Sequence, residues 1–167
     1  MDGIVDAPYS PLRPNPPSTC RRYLIPMLRV AVIGCRTIGI RHAQGAINAG
    51  DAAELVAGCD LVADKCAAFS ERWGVTATYQ DMEEMMNQEH PDLVAVCTRA
   101  AGTDQREAPS SNYRVDVHAD LTIRLAEMGV PMLYVEKAVA CSMARADEVL
   151  AAVTASGSAF NTGVLRR

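Results

Sequence analysis

The sequence predicts an α/β fold of the Rossmann type, a doubly wound parallel sheet of about six strands with helices on both faces. Short apolar runs alternate with segments of helical periodicity from residue 29 onward. The apolar runs lack the polar alternation of half-exposed strands, which is typical of parallel strands covered on both faces. Gly34 and Gly39 follow the first run, as in a phosphate-binding turn between a strand and a helix.

Each predicted strand is a continuous apolar run, and each predicted helix carries apolar residues three or four positions apart. Glycines follow several of the helical segments, and Ser142 suits the cap of the last one. Met82, Met85 and Met86 share one helical face, as core-filling residues do. The predicted strands are 30–33, 55–59, 76–79, 93–97, 132–135 and 159–165. The predicted helices are 37–49, 62–73, 81–89, 117–128 and 143–156, with a polar loop at 99–112.

The first 28 residues differ from the rest of the chain. Six of the nine prolines lie there, and apolar periodicity is absent. We interpret 1–28 as a flexible tail and 29–167 as a single dinucleotide-binding domain. Met27 directly precedes the first strand, so we hypothesise that translation starts there. An intact mass that begins at Met1 would reject this hypothesis.

The composition excludes several classes of protein. Hydrophobic residues make up 49% of the chain, and the net charge is −4 without a basic stripe. Nucleic acids and anionic membranes are therefore not expected partners. No apolar run approaches the roughly 18 residues of a membrane span, and the N-terminus has no secretion signal, so a cytoplasmic protein is expected.

The six cysteines lack CxxC spacing and a zinc-ligand quartet, so no metal site is expected. The first interpretation is buried thiols in a reducing compartment. The alternative is that Cys35, Cys59 and Cys97, each near a predicted strand end, line the ligand crevice. Cofactor binding would then be sensitive to thiol reagents.

The glycine-containing turn predicts a nicotinamide dinucleotide site. Gly34 suits the tight turn out of the strand, and Gly39 suits close packing of the helix. The backbone N–H groups of Thr37, Ile38 and Gly39 would face the pyrophosphate at the positive end of the helix dipole. Arg36 stands where the middle glycine of the motif is usual. Its side chain either displaces the loop, grips a phosphate, or contacts a 2′-phosphate.

Asp60 follows the second predicted strand, somewhat further from Gly34 than the usual spacing of about 20 residues. A carboxylate there can accept both hydroxyls of the adenosine ribose and would repel a 2′-phosphate. NAD is therefore the expected cofactor, with NADP as an alternative through Arg36. The competing interpretation is that Asp60 only caps the following helix.

Five segments occur in a characteristic order: VAVIGCRTIGIRHA (30–43), ELVAGCDLVADKCAAFSERWGV (54–75), HPDLVAVCT (90–98), GVPMLYVEKAVACSMARADEVL (129–150) and NTGVLRR (161–167). In this combination the chain resembles the N-terminal half of the Gfo/Idh/MocA oxidoreductases, the family of glucose–fructose oxidoreductase and inositol dehydrogenases. The resemblance implies an NAD(P)-binding Rossmann domain. It also implies that the family's second, α+β domain, which carries a catalytic histidine, does not follow in this sequence.

The resemblance also implies roles for residues at later strand ends. Glu136 and Lys137 match the start of the family's EKP motif. The lysine of that motif reaches the nicotinamide and the reacting hydroxyl, and Glu136 is expected to contribute to the cofactor site. Ala138 replaces the motif's proline, so a cis bond there is expected to be disfavoured. Thr98 matches a threonine near the cofactor. His118 occupies a position where members often carry histidine, and without partners it is expected on the surface or packing a helix.

The expected function is hydride transfer to or from a secondary alcohol of a sugar or cyclitol, incomplete without a second domain. The alternative is a non-catalytic dinucleotide-binding module or a degenerate fragment, which Arg36, Ala138 and the missing domain favour. A third, weaker hypothesis is an adenosylmethionine-dependent methyltransferase, against which the VEKA segment and the strand pattern argue. Apolar surface meant for a second domain would favour self-association.

Overall fold

The computed structural model describes residues 26–98 and 116–163. All its strands run parallel in one six-stranded sheet with the order β3-β2-β1-β4-β5-β6, which confirms the predicted Rossmann-like fold. The strands are β1 Leu28–Ile33, β2 Ala53–Cys59, β3 Thr78–Tyr79, β4 Leu93–Val96, β5 Met132–Glu136 and β6 Ala159–Gly163. The helices are α1 Thr37–Asn48, α2 Ala63–Trp73, α3 Met82–Glu89, α4 Val117–Glu127 and α5 Met143–Ser156, with a 3₁₀ turn at Gly50–Ala52.

The sheet has a switch point between β1 and β4. The chain builds outward from β1 to β3, and then returns to place β4 on the other side of β1. In such sheets the ligand crevice lies outside the carboxyl ends of the strands at the switch point. The residues that directly follow β1, β2, β4 and β5 are therefore the ones that surround this crevice.

Two apolar layers hold the helices against the sheet. Val30 and Val32 pack with Ala43 of α1 and Phe69 of α2 on one face. On the other face, Met85 of α3 belongs to the same cluster as the buried side chains of α4 and α5, which include Leu125 and Val149. The methionine face of α3 fills this core as predicted, because Met85 and Met86 are buried and Met82 packs against the cluster.

The element boundaries follow local signals where those signals are strong. The Ser142 hydroxyl accepts a hydrogen bond from the Arg145 N–H, which confirms the predicted cap of α5. Gly74 and Gly157 end α2 and α5 with φ of 69° and 73°, the left-handed conformation that glycine adopts without strain. β3 has two residues instead of the four predicted, because only the last two residues of β2 pair with it.

The predicted tail and the predicted polar loop fall mostly outside the described residues, as does the end of the last predicted strand beyond residue 163. Leu28, which the sequence assigned to the tail, opens β1 and pairs with Ala53. In residues 26–98 and 116–163, every helix is too short or too polar to cross a lipid bilayer.

Candidate functional site

The turn after β1 is built around Gly34. Its φ is 98°, and its N–H donates to the Cys59 carbonyl over 2.7 Å. A Cβ at this position would lie 2.8 Å from the carbonyl atoms of Cys97 and from the Thr98 nitrogen. Only glycine therefore lets the turn pass against the end of β4.

Gly39 packs the first turn of α1 against the same loop. A Cβ on Gly39 would lie 1.9 Å from the Gly34 carbonyl oxygen, so a side chain there would force the helix away. The geometry thus gives the two glycines the tight turn and the close helix packing that the motif requires.

The N-terminus of α1 is open toward the crevice. The first backbone bond of the helix runs from the Ile40 N–H to the Arg36 carbonyl, so the N–H groups of Thr37, Ile38 and Gly39 precede the helical ladder. Within the described part of the chain, no side chain caps this end, and its first turn carries no acidic residue. These donors and the helix dipole suit an anion such as a diphosphate.

Arg36 is the N-cap residue of α1, with exposed side chain and extended backbone (φ −106°, ψ −162°). Any residue adopts this conformation, so arginine fits here without distorting the loop. The described residues offer its guanidinium no hydrogen bond or ion pair, which leaves it available to a phosphate.

Asp60 lies directly after β2, and its carboxylate contacts the glycine loop, the residue before α2 and a lysine of α2. One carboxylate oxygen accepts from the Cys35 N–H of the glycine loop over 3.1 Å, and the other accepts from the Val62 N–H over 3.1 Å. The Lys65 Nζ lies 3.5 Å from the second oxygen. Val62, not Asp60, is the N-cap residue of α2, so the simple helix-cap interpretation is wrong. Gly34 and Asp60 are neighbours, as the dinucleotide hypothesis requires.

Two residues beside Asp60 were missed by the sequence analysis. The Leu61 side chain is 85% exposed, which is unusual for a large apolar group and suits contact with a flat aromatic base. Lys65 faces the Asp60 carboxylate from the first turns of α2. The placement of a lysine five residues after the aspartate was the available signal.

Thr98 follows β4 next to the glycine turn. Among the residues that the structure describes, its Oγ1 is buried and has no hydrogen-bond partner. A buried polar atom without a partner is costly unless a ligand or water meets it. Its carbonyl accepts from His118 Nε2 over 2.7 Å.

His118 is not the isolated surface or packing residue that the sequence suggested. Its Nδ1 lies 2.8 Å from the Ala138 carbonyl and its Nε2 2.7 Å from the Thr98 carbonyl. The ring therefore links the segment after β4 to the segment after β5. Its position within the family resemblance was the only sequence signal.

The end of β5 presents Lys137 and buries Glu136. The Lys137 side chain is exposed and makes no hydrogen bond or ion pair within the described ranges. The Glu136 carboxylate lies 2.9 Å from His42 Nε2 of α1, and the residue is 6% exposed. A direct contact of Glu136 with the cofactor stays a prediction. The Lys137–Ala138 peptide bond is cis, which corrects the prediction that a cis bond is disfavoured at this position.

The thiols near the strand ends are buried. Desolvation by burial is the main cause that raises the pKa of Cys59 to about 12, and burial likewise raises the pKa of Cys35 and Cys97. These thiols stay protonated and act as apolar packing groups, which favours the first interpretation of the cysteines. In the described segments, no three side chains of the metal-binding types are grouped to hold an ion.

A separate groove of about 710 Å³ lies at the opposite end of the sheet, where Met27, Arg29 and Trp73 are among its lining residues. It faces the amino ends of β1 and β2 and contacts none of the groups above. We therefore assign the site to the crevice at the carboxyl ends.

The residues of the crevice fit a nicotinamide dinucleotide. An open helix terminus and a side-chain-free turn suit the diphosphate, and the Asp60 carboxylate suits a ribose. The orphaned Thr98 hydroxyl and the exposed Lys137 lie at the ends of neighbouring strands, where the nicotinamide half would extend.

Comparison with known proteins agrees with this assignment. Residues 28–164 match the GFO_IDH_MocA family, described as "Oxidoreductase family, NAD-binding Rossmann fold". No curated protein sequence matches the chain significantly.

Solved structures share the fold. The WlbA dehydrogenase from Bordetella pertussis, in complex with NADH and UDP-GlcNAcA, superposes with a TM-score of 0.69 at 20% identity, covering 82% of this chain and 37% of its own. A probable dehydrogenase from Thermotoga maritima gives 0.66 at 26% identity, with 81% and 36% covered. A myo-inositol 2-dehydrogenase from Lactobacillus plantarum gives 0.66 at 25% identity, with 82% and 36% covered.

The chain thus spans little more than a third of the length of these proteins. The family match covers most of this chain and includes the glycine turn, Asp60, Thr98 and Lys137. The chain belongs to the Gfo/Idh/MocA oxidoreductase family, and residues 28–164 are its NAD-binding Rossmann-fold domain.

Proposed function

We propose that this chain is the cofactor-binding domain of an NAD(P)-dependent oxidoreductase that acts on a secondary alcohol of a sugar or cyclitol. The observation that carries the proposal is the convergence of an open α1 terminus, an orphaned Thr98 hydroxyl and an exposed Lys137 on one edge of the sheet. Relatives in complex with NADH and a nucleotide sugar, or described as inositol dehydrogenases, support the choice of substrate class.

The chain's first task is to bind and orient the dinucleotide. The N–H groups of Thr37, Ile38 and Gly39 would hold the diphosphate, and Asp60 would accept the ribose hydroxyls. Leu61 would cover one face of the adenine. Because Gly34 keeps the loop against β4, the bound cofactor would extend toward Thr98.

The second task falls to residues at the nicotinamide end. When bound, the cofactor accepts or donates the hydride of the carbinol carbon. During oxidation the neutral Lys137 amine would take the proton of the substrate hydroxyl, and during reduction the Lys137 ammonium would return it to the carbonyl oxygen. The Thr98 hydroxyl would gain the partner that it lacks among the described residues.

The preference for NAD or NADP depends on three charged groups. Asp60 disfavours a 2′-phosphate, while Lys65 offsets part of its charge and Arg36 offers an unpaired guanidinium. We propose NAD as the main cofactor, with measurable NADP binding through these two cations.

The second candidate function is a dinucleotide-binding module without turnover. Alanine at position 138, where the family motif has proline, favours it. Both candidates bind NADH, but only the first oxidises any member of a polyol panel.

Under either candidate function, we propose that the protein self-associates through exposed apolar groups such as Leu150 of α5 and Phe160 of β6. A clean monomer in analytical ultracentrifugation at high concentration would contradict this proposal.

The test measures NADH binding to the wild type and to Asp60→Asn, with the fluorescence of the cofactor as the readout. Loss of the carboxylate charge should weaken binding by about tenfold or more, since a hydrogen bond to a charged group contributes roughly 1.5–3 kcal/mol. Asp64→Asn is the matched control, because Asp64 is an exposed carboxylate in the first turn of α2. A wild type that binds neither NADH nor NADPH would refute the proposal.

A further inference from the structure

We propose that His118 is a positioning residue that fixes the backbone of Lys137 against the end of β4 by donating from both ring nitrogens to backbone carbonyls. The assignment of Lys137 to the substrate rests on the proposed function, whereas the clamp itself rests on the geometry alone.

Both contacts of the ring are short and both end on carbonyl oxygens, at 2.8 Å for Ala138 and 2.7 Å for Thr98. A carbonyl oxygen accepts and never donates, so each contact needs a proton on the facing nitrogen. A neutral imidazole has one N–H and would turn a lone pair toward the other carbonyl. The doubly protonated ring is the form that satisfies both partners.

The ring belongs to a rigid helix start. His118 is the second residue of α4, and its carbonyl accepts from the Thr122 hydroxyl over 2.6 Å, with Thr122 fully buried. Asp116, just before the helix, accepts from the Cys141 N–H over 2.7 Å. The start of α4 therefore holds the segment after β5 at two points, Ala138 and Cys141.

Lys137 is thereby fixed on both sides while its own side chain stays exposed. Before it, the Glu136 carboxylate contacts His42 of α1 over 2.9 Å. After it, the Ala138 carbonyl contacts His118. The backbone of the lysine is anchored to two helices, and the ammonium alone can move toward a substrate.

Charged groups lie on the elements that meet at His118. Asp116 and Asp120 belong to the start of α4, and Asp120 pairs with Arg145 of α5. At the end of β5, Glu136 contacts His42 and is followed by Lys137.

The experiment compares the wild type with His118→Asn by NMR at neutral pH, with labelled histidine and backbone. We expect both ring nitrogens of His118 to carry protons in the wild type. In His118→Asn, the order parameter of the Lys137 amide should fall from about 0.85 to below about 0.6, because the clamp is lost. Within the described residues, the His118 ring hydrogen-bonds the Ala138 and Thr98 carbonyls and not Asp60, so NADH binding should change less than in Asp60→Asn.

His90→Asn is the control, because His90 is an exposed histidine at the C-cap of α3 with φ of 45°, a conformation that asparagine tolerates. It should leave the Lys137 signal unchanged. A His118 ring with a single proton, or an unchanged Lys137 amide in His118→Asn, would overturn the inference. If His118→Asn fails to fold, the inference is tested by the ring protonation of His118 in the wild type and by the Lys137 amide order parameter in His118→Gln. Failure of the proposed function shows separately, as absent NADH binding with the clamp intact.

Discussion

His42 Nε2 lies 2.9 Å from Glu136 Oε1, and this contact joins the helix after the glycine turn to the strand that ends beside Lys137. The His42 ring also lies 4.7 Å from the Tyr134 ring. The helix that follows the glycine turn and the end of β5 are thus connected through one partly buried polar pair.

Replacing His42 by leucine should destabilise the protein by about 1–3 kcal/mol, because Glu136 would keep a buried carboxylate without its partner. Urea denaturation measures the change. Arg41→Ala on the exposed side of α1 is the control and should have little effect. Equal stability of the two variants would show that the pair contributes nothing.

Gly39→Ala and Gly45→Ala should have opposite effects, although both lie in α1. A Cβ at Gly39 would meet the Gly34 carbonyl at 1.9 Å, whereas a Cβ at Gly45 meets nothing within 4 Å. We expect Gly45→Ala to stabilise by about 0.5–1 kcal/mol and Gly39→Ala to destabilise by about 1–3 kcal/mol or more and to weaken NADH binding. Thermal unfolding with and without NADH checks both. A harmless Gly39→Ala would contradict the turn geometry.

Lys65→Ala should shift cofactor preference toward NADH. The Lys65 ammonium lies 3.5 Å from the Asp60 carboxylate, and its loss leaves a full negative charge facing a 2′-phosphate. We expect the ratio of NADPH to NADH dissociation constants to rise by about tenfold, which corresponds to about 1.4 kcal/mol. Arg72→Ala, near the other end of α2, should leave the ratio unchanged. Parallel changes in both dissociation constants would exclude Lys65 as a selectivity residue.

Thiol reagents at mildly alkaline pH should react with the native protein at exposed Cys141 faster than at the described buried cysteines, because a reagent can reach only an exposed sulfur. Desolvation and then the hydrogen bond to Asp116 raise the pKa of Cys141 as well, so exposure is the main cause of the difference. Burial raises the pKa of Cys59 to about 12, so its reactive thiolate is scarce at that pH. Mass mapping of the labelled protein identifies the sites. NADH affinity should survive labelling, and its loss on modification of Cys35 or Cys97 would revive the crevice-thiol alternative.

Tyr79 should make the stability pH-dependent in the alkaline range. Its hydroxyl donates to Glu89 over 2.6 Å, and this hydrogen bond, with burial, raises the pKa of Tyr79 from 10.0 to about 12. Because the folded pKa lies above the unfolded value, the stabilisation is complete below about pH 10 and is lost as the pH rises to about 12. The difference in unfolding free energy between the wild type and Tyr79→Phe should shrink over that interval. A difference that stays constant would contradict the assignment.

The spacing of apolar residues and the residues at helix ends, both read from the sequence, determined the fold. Apolar runs without alternation predicted parallel strands, and residues such as Ser142, Gly74 and Gly157 placed helix ends where the structure has them. The length of β3 was not predictable, because the pairing available from β2 limits an edge strand more than its own sequence does.

The geometry of the glycine turn and its position beside Asp60 could be predicted, because both depend on backbone conformation and local spacing, which the sequence records. The partners of His118, His42 and Lys65 were not. Each of these contacts joins a helix to a strand end, or to the residue that follows one, and a contact between separate elements is set by how helices and strands pack. The tertiary structure alone decided that His118 bridges Thr98 and Ala138, since only the sheet order brings the ends of β4 and β5 together beneath the start of α4.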